Sequence, residues 1–231
     1  MNSICVEKLD SAISALCPEI WGNMQSVSDV DHSEETLWEE LVCCVLSSQV
    51  KFELSQAVTQ NLKHNGFLKL ETLDSSYEER LGVLLRSPVM VDGRLIKYRF
   101  PNVKAKQITA ARKNIYGNGG SLREMRSKYS ETTELRTALV DLVPGLGMKQ
   151  ASMYLRNVSN SFELAVIDSH ILKYMNILNL IRKVPSTISK AQYLAKENML
   201  TKHTEKFGYP VGCVDYAIWI VMRVASKDGH L

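Results

Sequence analysis

The chain has 231 residues, 45% of them apolar and 23% charged, with a formal net charge of +3. Those proportions exclude a disordered or collagen-like chain and leave room for one large domain or two small ones. No window approaches the about 18 uninterrupted apolar residues of a membrane span, and Glu7, Lys8 and Asp10 break any signal-peptide core, so an intracellular, non-membrane protein is expected.

Apolar residues recur with a helical period almost throughout. Leu37, Leu41, Val42, Val45 and Leu46 share one face of a helix over Glu34–Leu46, with Asp31 or Ser33 as its N-cap. A second helix runs from about Phe52 to Asn65 and stops at Gly66, and a third covers Tyr77–Arg86, ending before Pro88. Within Val89–Phe100, Val-Asp-Gly-Arg reads as a turn between two short extended pieces, the one β signal. Pro101 opens a helix that reaches Tyr116 and ends in Gly117-Asn118-Gly119-Gly120. Helices follow at Ser121–Lys128, Thr133–Leu142, Lys149–Val158, Ser169–Leu180, Ser189–Lys206 and Val211–Ala225. The expected class is all-α.

Charge is unevenly spread. Residues 1–93 carry 6 Lys/Arg against 15 Asp/Glu, whereas residues 94–156 carry 13 against 4. Lys97, Arg99, Lys104, Lys106, Arg112 and Lys113 follow one another without an acid between them, which points to an anionic partner, nucleic acid first. The five cysteines (Cys5, Cys17, Cys43, Cys44, Cys213) form no CxxC pair, so buried thiols are expected, with no iron–sulfur cluster and no metal held by side chains.

The most informative stretch is Leu139–Ala151. An apolar helix is stopped by Pro144, turns through Gly145-Leu146-Gly147 and enters another helix at once. Glycines two apart allow positive φ and close approach of a backbone, and a helix that starts so abruptly presents unpaired N–H groups and a positive dipole end to a phosphate. Lys149 stands at that start. Its amine can contact a phosphate or, where burial and the positive helix end favour the neutral form, attack carbon; the hairpin alone separates neither role. Further on, the apolar run Ala165-Val166-Ile167 delivers Asp168 to the head of a helix. Asp168 is there as an N-cap, or as a carboxylate returned beside Lys149 to take a proton and stabilise a cation.

These residues resemble the helix-hairpin-helix DNA glycosylase superfamily, and most of all its type-2 8-oxoguanine DNA glycosylase/AP lyase branch of archaea and bacteria. The resemblance is carried by Pro144–Lys149 followed by Asp168, by Lys149–Asn157, by Val166–Leu172, by Tyr98–Lys106, and by Asp215-x-x-x-Trp219. It implies two helical subdomains flanking a cleft, residues 31–159 with the hairpin at about 139–158, and residues 1–30 plus 160–231. It also implies a bifunctional enzyme of base-excision repair: duplex DNA is bound, an oxidised purine flipped out, and Lys149 forms a Schiff base with the sugar before β-elimination cuts the strand. Asp168 would assist the attack and stabilise the developing charge. No cofactor is implied beyond a monovalent cation held by hairpin carbonyls, and a monomer associated with DNA in the cytoplasm or nucleoid is expected.

Further residues follow from the same reading. Gly145, Leu146, Gly147, His170, Lys104 and Gln49 are candidates for contacting DNA, His170 being equally suited to a plain surface position. Asp215 and Trp219, four apart on one helix, are candidates for recognising the base, with Trp219 either stacking on it or lying in the core. The chain departs from the branch in its tail, Val221–Leu231, which ends in leucine where relatives carry a basic terminus. Two alternatives stay open: a glycosylase/lyase for a different modified base, and a non-catalytic helix-hairpin-helix protein that only grips DNA.

Overall fold

The computed structural model describes residues 3–26, 32–70, 74–159 and 161–227, with side chains from residue 6 onward. In chain order the elements are α1 (Ser3–Ser26), α2 (Glu34–Leu46), α3 (Phe52–His64), α4 (Tyr77–Arg86), β1 (Val89–Val91), β2 (Arg94–Ile96), α5 (Pro101–Tyr116), α6 (Leu122–Lys128), α7 (Thr132–Leu142), α8 (Met148–Ser159), α9 (Ser169–Ile177), α10 (Lys190–Thr204) and α11 (Val211–Lys227), with a short 3₁₀ turn at Glu205–Phe207. The two strands pair antiparallel, Val89 opposite Ile96, across a turn in which Asp92 and Gly93 both have positive φ. Among the described residues, all regular structure apart from that hairpin is helical. No described helix is long and apolar enough to cross a membrane.

The chain divides into two compact units, Asp31–Tyr154 and Met1–Val30 with Leu155–Leu231. In the first, Leu37, Leu41 and Leu46 of α2 are fully buried, and α2 packs on α3, α5 and α6. Ser33 caps α2 by accepting from the Thr36 N–H; the other candidate cap, Asp31, lies outside the described residues. Glu34 accepts from the Tyr116 hydroxyl at 2.9 Å and the Leu122 N–H at 2.6 Å, joining the end of α5 to the head of α6. The Tyr98 hydroxyl donates to the Leu46 carbonyl at 2.7 Å, closing the end of α2.

In the second unit, α1 lies on α11. The sequence reading assigns no helix before Glu34, yet Leu9, Ile13, Cys17 and Ile20 fall on one buried face. Pro18 sits within this helix, which packing against the apolar α11 stabilises in spite of it. Helix α9 is shorter than its periodicity suggests: it ends at Ile177, and Asn179 takes a left-handed conformation (φ 56°) that no helix continues through. The expected helix to Lys206 stops at Thr204, where its last turn tightens into the 3₁₀ segment before Gly208. Cys17, Cys43, Cys44 and Cys213 are buried free thiols, and the Cys5 side chain lies outside the described set.

Candidate active site

Pro144 and Gly145 occupy the two central positions of a type II turn. The Leu146 N–H donates to the Val143 carbonyl at 3.1 Å, and Gly145 has φ +82°. Glycine is required there twice over, because a Cβ would also lie 2.1 Å from the Gln107 side-chain oxygen. Gly147 is less constrained; a Cβ there would meet only the Gln150 side-chain oxygen, at 3.2 Å. Leu146, expected among the DNA contacts, is 4% exposed and spends its N–H inside the turn, so it anchors the hairpin from within while the two glycines remain exposed.

Helix α8 begins at Met148, and Ala151 makes its first backbone bond, to the Gly147 carbonyl at 2.9 Å. The N–H groups of Met148, Lys149 and Gln150 take no acceptor among the described residues, which leaves the donor-rich helix start that the sequence suggested. Met148, Ala151 and Tyr154 bury the opposite face of α8. The fully buried Arg136 of α7 donates to the Ser152 hydroxyl at 3.0 Å and clamps the two hairpin helices together. Nothing in local sequence marks Arg136 for this role.

Lys149 is half-buried. Its charge acts on the thiol of Cys44, which is held well above the usual thiol range by burial, with Glu40 adding to the effect and Lys149 opposing it. The Cys44 thiol donates to Glu40 at 3.4 Å.

Of the basic run on and before α5, Lys97, Arg99, Lys106 and Lys113 are exposed. Lys104 and Arg112 are buried; Arg112 lies 4.9 Å from the Tyr77 ring. Lys104, expected to reach a phosphate, is only 5% exposed, and burial pulls its ammonium down to about 8. Helical periodicity turns it inward, a point hidden when the charges are counted along the chain. Gln49 is exposed between α2 and α3 and holds φ 60°, rare for a residue with a Cβ.

In the other unit, Asp168 is the N-cap of α9: its Oδ1 accepts from the N–H groups of His170 (2.8 Å) and Ile171 (2.9 Å). Its Oδ2 has no protein partner among the described residues, so the cap uses one oxygen and leaves the second available. His170 is half-buried, with an unpartnered Nδ1, and its ring meets Trp219 edge to face at 6.4 Å. Trp219 is not a core residue. It is half-exposed, parallel to Tyr216 (5.8 Å, 10°), with the Arg223 guanidinium 4.8 Å from its centre.

Asp215 departs from expectation. Although four residues from Trp219, it is 1% exposed, pairs with Arg156 at 2.7 Å and accepts from the Val166 N–H. Burial pushes its carboxyl up to about 7, against the pull of Arg156 and of that N–H. Both oxygens being engaged inside the unit, Asp215 is a structural carboxylate rather than a group offered to a base. Among the described residues, no cluster of three His, Cys, Asp or Glu side chains could hold a metal ion.

A type II hairpin turn feeding a donor-rich helix start, in an all-helical chain, defines a helix-hairpin-helix protein. A family model described as 8-oxoguanine DNA glycosylase matches residues 22–209. The 8-oxoguanine DNA glycosylase/AP lyase of Saccharolobus solfataricus is 31% identical over 188 residues, covering 81% of this chain and 82% of its own. The crystal structure of the 8-oxoguanine DNA glycosylase of Thermotoga maritima superposes with a TM-score of 0.73 at 27% identity, over 93% of this chain and 94% of that one. The Methanocaldococcus jannaschii 8-oxoguanine glycosylase/lyase in complex with a 15mer DNA containing 8-oxoguanine gives 0.67 at 25% identity, over 92% and 88%. The chain belongs to the 8-oxoguanine DNA glycosylase family.

Proposed function

We propose that the protein is a bifunctional DNA glycosylase and AP lyase that removes an oxidised purine, 8-oxoguanine, from duplex DNA. The observation that carries this reading is Lys149 itself: a half-buried amine on the second residue of a helix whose start already offers unpaired N–H groups to a phosphate. Phosphate grip alone needs neither a half-buried amine nor a carboxylate such as Asp168 with one oxygen off its cap, and the two together disfavour a purely DNA-binding role. Gly145 and Gly147 present the backbone to the DNA strand, with Gln49 and His170 as further contacts, and Trp219 offers an aromatic surface to the extruded base. Any monovalent cation held by the hairpin carbonyls would lie on this same turn. The protein acts as a monomer on DNA inside the cell.

In the reaction, the Lys149 nitrogen attacks the sugar C1′ as the bond to the base breaks, and the base departs with the electron pair of that bond. Asp168, with one oxygen free of its cap, accepts a proton from the attacking nitrogen and stabilises the positive charge that develops on the sugar. Nitrogen's lone pair then forms the C1′=N bond as the C1′–O4′ bond breaks and O4′ takes up a proton, opening the sugar to an imine; loss of a proton from C2′ of this imine expels the 3′ phosphate, and hydrolysis frees Lys149.

Duplexes each carrying one modified base, incubated with protein and borohydride, test this reading. A covalent adduct on the 8-oxoguanine duplex, mapped by mass spectrometry to Lys149 and absent from the Lys149→Gln protein while duplex binding persists, is the expected result. Undiminished trapping in Lys149→Gln would place the nucleophile elsewhere, and trapping confined to another modified base would reassign the substrate.

A further inference from the structure

Asp168 stands at the end of a segment that belongs to no helix or sheet. Residues 162–167 run non-helically, and Leu164, Ala165 and Ile167 are almost wholly buried. A buried peptide without a ladder must find partners for its N–H groups elsewhere, because each one left unpaired is costly. Here three consecutive amides are each taken by a different side chain. Ala165 N–H donates to Glu197 Oε1 at 3.0 Å, Val166 N–H to Asp215 Oδ2, and Ile167 N–H to the Tyr193 hydroxyl at 3.1 Å. The Tyr193 hydroxyl in turn donates to the Ala165 carbonyl at 2.7 Å. The three side chains are 8%, 1% and 2% exposed.

The close approach of α11 belongs to the same construction. Gly212 N–H donates to the Phe162 carbonyl at 2.7 Å, and a Cβ on Gly212 would lie 2.9 Å from that oxygen and 3.1 Å from the Leu164 carbonyl. Arg156 holds Asp215 from the other side. A glycine, a tyrosine and two buried carboxylates, all remote in sequence from residue 168, are thus committed to one short piece of backbone. The piece ends where the cap of α9 begins.

We propose that Glu197, Asp215 and Tyr193 are positioning residues for Asp168: by holding the three amides that precede it, they fix where its carboxylate projects, without touching DNA. This rests on the reading of Asp168 as the catalytic carboxylate. A network of this kind suits a group that must be held within a fraction of an ångström against a reacting sugar, where small misplacement costs orders of magnitude in rate.

The test compares Tyr193→Phe, Glu197→Leu and Glu197→Gln with the unaltered protein in single-turnover base release, duplex affinity and thermal unfolding, at a temperature well below every Tm. Tyr193→Phe and Glu197→Leu should slow base release by about 10- to 100-fold and leave duplex affinity within about twofold. Glu197→Gln keeps an acceptor for Ala165 N–H and should stay within a few-fold of the unaltered rate. A role in folding alone would lower Tm and leave the rate unmoved, and that outcome overturns the proposal, as does equal loss in Gln and Leu. Amide exchange in the unaltered protein gives a reading independent of any variant: the amides of Ala165, Val166 and Ile167 should be protected like helix amides, and exchange at loop rates would overturn the cradle. Failure of the functional reading is distinct, since the unaltered protein would then release no base at all.

Discussion

Asp168 uses one carboxylate oxygen as a cap and keeps the other free of partners among the described residues, so its two roles can be separated chemically. Asp168→Asn preserves an acceptor for the two amides and removes the charge. We expect the folding free energy to fall by no more than the ~1 kcal/mol of a weakened cap, while base release falls by several powers of ten, as for loss of charge stabilisation in a transition state; stopped-time assays and thermal unfolding read the two effects separately. The hairpin glycines form another contrast. Gly145→Ala must accommodate both a positive φ and the Gln107 side chain, and should destabilise by about 1–3 kcal/mol. Gly147→Ala meets a single flexible side chain and should leave Tm nearly unchanged. Gly147 is therefore the cleaner probe of phosphate contact, and equal Tm losses in the two variants would contradict the turn geometry.

Among the elements, α5 and α11 make the sharpest predictions. Lys106 and Lys113 are exposed on α5, in a run where Lys104 and Arg112 turn inward. If the two exposed lysines each meet a phosphate, replacing both by alanine should reduce the slope of log affinity against log salt by about 2, without changing which lesion is preferred. An unaltered slope would take α5 out of the DNA interface. On α11, the Trp219 ring is parallel to that of Tyr216 and close to the Arg223 guanidinium, with His170 at its edge. Trp219→Ala should slow base release far more than it weakens duplex binding, because stacking on an extruded base is worth ~1–3 kcal/mol and arises only after flipping. Equal losses in both would place Trp219 against the duplex rather than the flipped base.

For the molecule as a whole, the buried Lys104 is a cost carried by the fold. Burial lowers its ammonium to about 8 from the usual 10.5, so between those values the unfolded chain binds more protons than the native one, and this group's contribution to stability rises with pH. Below about pH 8 both states are protonated and the full penalty is present. Lys104→Met should accordingly be more stable at pH 7 by on the order of 2 kcal/mol, with the difference shrinking as pH rises toward 10. Parallel denaturant titrations at pH 7 and pH 9.5 check it; a pH-independent difference would mean that Lys104 is paired or solvated.

The residues that sequence made legible are those whose signal is local. Pro144 and Gly145 fix a type II turn through their own backbone preferences, and Ser33 and Asp168 cap helices through side chains two or three positions from the amides they serve. The hairpin, the lysine after it and the capped aspartate could all be read along the chain. Tertiary structure decided whatever depended on a partner remote in sequence. It decided that α1 forms around Pro18, because α11 offers an apolar face; that Lys104 points inward, because α5 is covered on that side; and that Asp215 serves Val166 and Arg156 rather than a base. A buried polar group is defined by the hydrogen bonds it must find once water is excluded, and for Asp215, Glu197 and Tyr193 those partners lie 26 to 49 residues away, in backbone amides that carry no side-chain signature.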